Sequence, residues 1–232
     1  MRVAGRQSLI VDADDTLWEN NIYFERAFDE FVDLLDHSRL SPPAIRAVLD
    51  EIESVNARIH GYGSLSFGRN LQQAYRRLAE REIEGEQLRS VMKIAERIME
   101  QPLEVMPGVP GTLDYLASRH DLTLFTKGHP EEQKLKIDRS GLGVYFGHTA
   151  IVKEKNSASY RALCVDRKMD PGYSWMIGNS PRSDINPALE AGMGAVFVPH
   201  ANTWVLEKEE IRVPENARYF RIDTFSGLRD RF

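Results

Sequence analysis

The chain has 232 residues, of which 42% are hydrophobic and 28% charged, the composition of an ordinary globular protein. Its net charge of -5 and its pI of about 5.7 argue against general nucleic-acid binding, which usually needs a basic surface. The single cysteine, Cys164, excludes an intrachain disulfide framework and cysteine-rich metal sites. Because of this net charge and pI, nucleic acid is not expected as a partner.

Targeting and membrane segments are not predicted. The N-terminal residues carry no apolar run long enough for a signal peptide, and no stretch approaches the roughly 18 apolar residues of a membrane span. Internal repeats and low-complexity tracts are not evident. We therefore expect a cytoplasmic protein with no membrane partner, present as a monomer or a homodimer.

The first predicted element is a short strand, Leu9–Val11, that stops at a cluster of acids. Asp12, Asp14 and Asp15 follow it, and Thr16 closes the cluster. A short apolar run bounded by polar residues is typical of a buried strand in a parallel sheet, and open α/β sheets bind ligands at the carboxyl edge. Because neighbouring carboxylates raise one another's pKa unless a cation neutralises them, the cluster indicates a hard cation such as Mg²⁺.

The stretch from about residue 21 to residue 101 has helical periodicity and little strand character. Its apolar residues recur at three- and four-residue spacings, and Ser41-Pro42 is a helix-start signal. The predicted helices cover about 24–35, 42–59, 67–81 and 85–99. Four successive helices with short breaks indicate a compact helical module.

Strands and helices alternate after Pro102. The predicted strands are Leu122–Phe125, Ala150–Val152, Trp175–Ile177, Ala195–Val198 and Tyr219–Ile222, with helices at about 109–119, 130–140, 157–168 and 183–191. This alternation predicts an α/β fold, a doubly wound and mostly parallel Rossmann-like sheet with helices on both faces. The core comprises residues 1–17 plus 104–232, and a helical domain at 18–103 is inserted into it.

The first acidic cluster has the residues for phosphoryl transfer. Asp12 can attack a phosphoryl group whose charge is neutralised. Asp14, two residues later, projects from the same side of an extended strand end and can protonate a leaving oxygen and then activate water. The alternative is that Asp14 and Asp15 only form a turn or a helix cap.

Two basic motifs follow the next predicted strands. In Thr126-Lys127-Gly128, the hydroxyl and consecutive backbone amides can hold phosphate oxygens, although an ordinary strand-to-helix turn also explains the motif. In Lys153-Glu154-Lys155, a lysine can neutralise both phosphate and nucleophile. A solvated helix end is the alternative here, and periodicity does not decide which lysine points inward.

The fourth motif, Gly178-Asn179-Ser180-Pro181-Arg182-Ser183-Asp184, follows the strand Trp175–Ile177. Asp184 and Asn179 can complete an oxygen-rich magnesium site, directly or through water. A helix N-cap is the alternative role for Asp184. Four such motifs, each after a strand and in this order, are much less expected by chance than any one of them.

Together the four motifs resemble those of the haloacid dehalogenase superfamily of phosphohydrolases. The signature D-x-D-x-T stands at Asp12 to Thr16, and the Ser or Thr that ends a strand is Thr126. The lysine signature matches Lys155 with Tyr160 five residues later. The acidic signature after a strand matches Gly178 to Asp184.

The resemblance implies a role for each matched residue. Asp12 is the expected nucleophile and Asp14 the acid and base, while Asp15 is expected to be structural. The expected phosphate-binding residues are Thr126, Lys127, Gly128 and Lys155, and the expected Mg²⁺ ligands are Asp12, the Asp14 backbone carbonyl and Asp184. Many members have an aspartate where this chain has Asn179. Because asparagine carries no charge, Asn179 is expected to bind the metal weakly or to contact the metal ligands instead of the metal.

The resemblance also implies an activity. The helical insertion matches the superfamily's small cap, which closes over the site and excludes water. Dehalogenases of the superfamily lack the second aspartate and need no metal, so Asp14 favours a Mg²⁺-dependent phosphatase that hydrolyses a small phosphorylated metabolite. The alternatives are a phosphotransferase or mutase acting on a sugar phosphate, a 2-haloacid dehalogenase, and a catalytically silent phospho-ligand-binding protein. Candidate specificity residues in the cap are Asn20, Asn21, Tyr23, Tyr62 and Arg69.

Overall fold

The computed structural model describes residues 3–232, and the chain divides into two compact units. One unit is the chain up to Glu19 together with Leu103–Phe232, and the other is Asn20–Pro102. The sequence places the inserted domain at 18–103. The first unit is α/β and the second is entirely helical in its regular elements.

A single parallel sheet organises the α/β unit. Its strands are β1 (Ser8–Val11), β2 (Asp121–Lys127), β3 (His148–Val152), β4 (Ser174–Gly178), β5 (Gly194–Phe197) and β6 (Tyr219–Arg221). They lie in the order β3-β2-β1-β4-β5-β6, and every neighbouring pair is parallel. The predicted doubly wound parallel sheet is confirmed. The strand order reverses between β1 and β4, which is where such sheets form a ligand-binding crevice.

Eight α-helices accompany the sheet in the described residues. They are α1 (Asn21–Leu35), α2 (Pro42–His60), α3 (Ser64–Leu78), α4 (Gly85–Glu96), α5 (Val109–Ala117), α6 (Pro130–Ser140), α7 (Ser157–Arg167) and α8 (Asn186–Glu190). Helices α1 to α4 belong to the inserted unit, and α5 to α8 belong to the α/β unit. No helix in residues 3–232 is both long and apolar enough to cross a membrane.

Both faces of the sheet are covered, which explains why β1 is apolar at consecutive positions. Leu9 and Val11 pack in one cluster with Leu113 of α5. Ile10 points to the opposite face and packs in another cluster with Tyr160 of α7. Side chains alternate across a strand, so a strand with helices on both faces must be apolar throughout.

The helical unit has a core of its own, formed by apolar residues of all four helices such as Phe31, Leu49, Leu71 and Ile94. Several predicted helix bounds differ by three residues: α1 begins at Asn21, α4 ends at Glu96, and the third helix runs over Ser64–Leu78 instead of 67–81. Gly63 has a φ of 112°, a conformation open to glycine, and this turn lets the helix begin at once.

The segment after β4 differs from the predicted continuous helix at 183–191. A π-helical turn, Pro181–Ile185, precedes the short helix α8. The backbone N–H groups of Asp184 and Ile185 both donate to the Ser180 carbonyl, which produces the wider turn. Such π-turns are frequent at functional sites, and this one carries Asp184.

Candidate active site

Asp12 lies directly after β1, in the crevice where the strand order reverses. Its backbone N–H donates to the Ile177 carbonyl at 2.9 Å, so β4 fixes its backbone. The Oδ2 atom accepts a hydrogen bond from Thr16 Oγ1 at 2.9 Å, and Oδ1 contacts Lys155 Nζ at 2.5 Å. The carboxylate predicted to be the nucleophile is therefore buried and oriented on both oxygens.

Lys155 is the lysine of the third motif that enters this cluster. Its side chain is buried, whereas Lys153 is exposed. The Nζ atom also contacts Asp184 Oδ1 at 2.9 Å, so one ammonium joins Asp12 and Asp184. Burial alone would lower the pKa of Lys155, but the charges and hydrogen bonds of the two carboxylates outweigh it and raise that pKa above its usual value.

Asp184 reaches the cluster from the π-helical turn. Its Oδ2 accepts the Ser180 backbone N–H at 3.0 Å. A Cβ atom added at Gly178 would lie 2.2 Å from the same oxygen, so only glycine fits against this carboxylate. Burial and the charge of Asp12 raise the pKa of Asp184 to about 7, although Lys155 and the Ser180 amide act in the opposite direction.

The donor set at this position fits a hard divalent cation. Asp12 and Asp184 are both buried, and the Lys155 ammonium can balance only one of the two negative charges. Oxygen-rich, net negative sites are those that Mg²⁺ prefers. Asn179 is buried nearby, with Oδ1 3.4 Å from Thr16 Oγ1 and with Nδ2 donating to Thr203 Oγ1 at 3.3 Å.

Asp14 is held by three side chains of the α/β unit. The Trp18 indole donates to Oδ1 at 2.8 Å, and Gln133 Nε2 donates to Oδ2 at 2.8 Å. Lys136 Nζ contacts Oδ1 at 2.6 Å and Oδ2 at 2.5 Å. The prediction that Asp14 is only a turn residue therefore fails to account for its contacts.

The second motif lies at the end of β2. Thr126 is buried, and its Oγ1 donates to Gln133 Oε1 at 3.3 Å. Gly128 has a φ of 147°, and a Cβ atom there would lie 2.8 Å from Gln133 Nε2. The glycine is therefore required both for its backbone conformation and for the passage of the Gln133 side chain.

The Lys127 ammonium connects the second motif to the fourth. It donates to Ser183 Oγ at 2.8 Å and forms a short ion pair with Glu207. Glu207 in turn accepts a hydrogen bond from Ser180 Oγ at 2.5 Å. Burial tends to raise the pKa of Glu207, but Lys127 and the serine hydroxyls reverse that effect and hold the pKa below its usual value.

Tyr160 supports the same turn from α7. Its hydroxyl is buried and donates to the Ser183 carbonyl at 2.9 Å. Burial, followed by the charges of Asp184 and Asp12, keeps the pKa of Tyr160 well above its usual value, so the hydroxyl remains a neutral donor.

Three residues of this network are not predicted from the sequence. Gln133 and Lys136 contact Asp14 from 119 and 122 residues away, and Glu207 contacts Lys127 from 80 residues away. Gln133 and Lys136 have one local signal, their three-residue spacing, which places both on one face of α6. Glu207 has no such signal.

A second group of donor atoms lies beside the first motif. One donor atom each of Asp15, Glu19 and His200 lies within 4.8 Å of the others. The imidazole lies between the two carboxylates, with Nε2 3.2 Å from Glu19 Oε2 and Nδ1 3.7 Å from Asp15 Oδ1. Asp15 has a φ of 58°, in the left-handed region that aspartate adopts more readily than most residues other than glycine.

The candidate specificity residues belong to the helical unit. Tyr23 donates its hydroxyl to the Pro102 carbonyl at 2.7 Å, and Asn21 Nδ2 lies 3.4 Å from Glu25 Oε1. Arg69 is exposed on α3. Within the unit, Tyr23 thus contributes to local packing.

Comparison with known proteins identifies a matching family and a similar solved structure. A model of the family described as haloacid dehalogenase-like hydrolases matches residues 7–192. A solved haloacid dehalogenase-like family hydrolase from Xanthomonas campestris is 26% identical, with a TM-score of 0.82 over 96% of this chain and 92% of that one. No curated protein sequence matches the chain.

More distant solved structures share the fold. A 2-haloacid dehalogenase from Pseudomonas syringae is 20% identical, with a TM-score of 0.63 over 97% of both chains. A predicted phosphoglycolate phosphatase from Haemophilus somnus is 15% identical, with a TM-score of 0.65 over 97% of both chains. The fold thus occurs in proteins described by two different chemistries, and the site residues must distinguish between them.

Proposed function

The chain belongs to the haloacid dehalogenase-like hydrolases, and on this premise we propose that it is a Mg²⁺-dependent phosphatase of small phosphate monoesters. The observation that carries the proposal is Asp14, a carboxylate two residues after the nucleophile candidate and held by Trp18, Gln133 and Lys136. Cleavage of a phosphate ester needs a group that protonates the leaving oxygen. Displacement of a halide needs none, because the halide leaves as an anion.

The first half-reaction transfers the phosphoryl group to Asp12. A carboxylate oxygen of Asp12 forms a bond to phosphorus, the ester P–O bond breaks, and Asp14 gives its proton to the leaving alcohol. Lys155, which already contacts Asp12, offsets the negative charge of the phosphoryl group. The Thr126 hydroxyl can donate to one of its oxygens, whereas the Gly128 backbone N–H already donates to the Val152 carbonyl at 3.2 Å.

The second half-reaction returns the enzyme to its starting state. Asp14 removes a proton from water, the water oxygen bonds to phosphorus, and the P–O bond to Asp12 breaks, which releases inorganic phosphate. Thr16, which donates to Asp12, keeps the released carboxylate in place. Magnesium held by Asp12, the Asp14 carbonyl and Asp184 would supply positive charge beside the phosphoryl oxygens.

The proposal is tested by phosphate release from sugar phosphates, nucleotides and flavin mononucleotide, with and without Mg²⁺. We expect magnesium-dependent hydrolysis that EDTA abolishes, no activity in Asp12→Asn, and a loss of roughly 10²–10⁴-fold in Asp14→Asn. Asp166→Asn, an exposed aspartate on α7, is the matched control and should retain activity.

The same assay distinguishes the alternatives. Chloride release from 2-chloropropionate without metal and without ester hydrolysis would identify a dehalogenase. Transfer of phosphate to a sugar instead of water would identify a phosphotransferase or mutase. Binding of phosphate esters without turnover would identify a silent binding protein.

A further inference from the structure

Helix α6 presents two polar side chains to the first motif. Gln133 and Lys136 are three residues apart, so they lie on the same helix face. Gln133 is buried and the Lys136 side chain is 12% exposed, although the neighbouring Lys134 is exposed to solvent. An amphipathic surface helix normally turns such residues outward, so their inward placement requires a partner.

Both side chains reach the carboxylate of Asp14. The ionised carboxylate offers about four acceptor positions, and four donor contacts are made here, so Asp14 releases one of these contacts when it takes up the proton that it transfers. Trp18 and Lys136 contact Oδ1, while Gln133 and Lys136 contact Oδ2. Any rotation of the Asp14 side chain would break several of these contacts together, so its orientation is fixed by α6 and Trp18.

Gln133 also links two motifs. Its Nε2 faces Asp14, and its Oε1 accepts from Thr126 Oγ1 at 3.3 Å. The carboxylate can only accept from the amide nitrogen, which determines the amide orientation. The side chain passes over Gly128, where a Cβ atom would collide with it. The acid–base candidate and the phosphate-binding candidate are thus connected through one amide.

We propose that Lys136, assisted by Gln133, is a positioning residue that orients Asp14 for proton transfer to the leaving oxygen. The inference rests on the proposed phosphatase function, and it adds to the four motifs a fifth contribution from the middle of α6. The contacts that define this role are those of Lys136 with the Asp14 carboxylate, so its effect passes through Asp14.

The experiment uses the full chain with Mg²⁺ and two esters of similar shape, phenyl phosphate and p-nitrophenyl phosphate. Phenolate is a poor leaving group that needs a proton, whereas p-nitrophenolate leaves readily without one. The value of kcat/KM reports the steps up to loss of the first product, which include this proton transfer. The variants are Lys136→Met, Lys136→Arg and Gln133→Leu, with Lys134→Met as the matched control on the same helix.

A positioning role predicts an uneven loss. Lys136→Met should lower kcat/KM for phenyl phosphate at least roughly tenfold more than for p-nitrophenyl phosphate, because a misplaced acid loses most of its contribution. The loss should appear in kcat more than in KM. Lys136→Arg should recover part of it, Gln133→Leu should show the same bias to a smaller degree, and Lys134→Met should match wild type.

The possible outcomes distinguish the positioning role of Lys136 from the phosphatase function. Equal losses for both esters, or none, would overturn the positioning role while wild-type hydrolysis keeps the phosphatase proposal intact. Failure of wild type to hydrolyse either ester would overturn the phosphatase proposal and the inference that rests on it. Thermal unfolding of each variant shows whether a lost activity reflects a lost fold, and Lys136→Arg decides the matter if Lys136→Met does not fold.

Discussion

The ion pair between Lys127 and Glu207 should make the α/β unit sensitive to a single conservative change. The side chains are only 14% and 11% exposed, and Glu207 also accepts from Ser180 Oγ. Glu207→Gln keeps the shape of the side chain but removes the nearest counter-charge of the buried Lys127 ammonium, which then keeps only Glu154, 3.6 Å away and 40% exposed. Removal of one partner from a buried pair costs about 3–5 kcal/mol.

This cost is measurable by urea unfolding and by calorimetry. For a chain of this size about 1 kcal/mol corresponds to roughly 2–4 °C, so the melting temperature of Glu207→Gln should fall by about 6–20 °C. The matched control is Glu209→Gln, two residues away. Glu209 pairs with Arg212, but their side chains are 38% and 62% exposed, so the change should cost about 0–1 kcal/mol.

The direction of the pH dependence adds a second test. The pKa of Glu207 is lower in the folded state than its ordinary value of 4.5, so the unfolded state takes up the proton first as pH falls. The stabilisation is therefore complete well above pH 4.5 and is lost as pH falls below it. A difference between Glu207→Gln and Glu209→Gln of less than about 1 kcal/mol at neutral pH would refute the reasoning.

Two further changes test the site and the core. Gly178→Ala places a methyl group 2.2 Å from Asp184 Oδ2, so it should raise the Mg²⁺ concentration needed for phosphate release. The control Gly147→Ala, whose new methyl group is 3.9 Å from its nearest neighbour, should not change that concentration. An unchanged magnesium dependence in Gly178→Ala would contradict the role of Asp184. His120 accepts the Gln7 N–H, and burial, assisted by Arg6 and Arg119, holds its pKa below 6.5. Because the unfolded state takes up that proton first, the free energy of unfolding of the wild type should decrease as pH falls below 6.5. His120→Asn should reduce this pH dependence. Equal pH dependence of the two proteins in urea unfolding would show that His120 does not cause it.

The parts of the molecule that the sequence predicts are those with local signals. The run Leu9–Val11 is apolar because both faces of β1 are covered. That run, with the alternation of strands and helices, predicts the doubly wound parallel sheet. Residues that follow β1, β2 and β4 meet at one edge because parallel strands share their carboxyl ends. Lys155 contacts both Asp12 and Asp184 at that edge.

The parts that the sequence does not predict depend on contacts between distant residues. Glu207 resembles any acidic residue of a charged stretch, and only the folded chain brings it to Lys127. For the same reason, Lys127 is predicted to contact phosphate, whereas its ammonium lies on Glu207 and Ser183. Trp18 has no local signal of a role at the site, yet its indole donates to Asp14.

Local backbone choices account for the remaining differences. The π-helical turn at Pro181–Ile185 depends on hydrogen bonds to the Ser180 carbonyl that apolar periodicity does not encode. The early start of α3 depends on the positive φ of Gly63. Periodicity places a helix but does not determine its first turn.

Transfer of the phosphoryl group to Asp12 during turnover can be tested directly by rapid-quench mass spectrometry. Wild-type protein mixed with Mg²⁺ and p-nitrophenyl phosphate and quenched in acid should carry a phosphoryl group on the peptide that contains Asp12. The label should disappear as substrate is exhausted and should be absent in Asp12→Asn. Ester hydrolysis with the phosphoryl group on another residue, or undiminished hydrolysis by Asp12→Asn, would contradict the account.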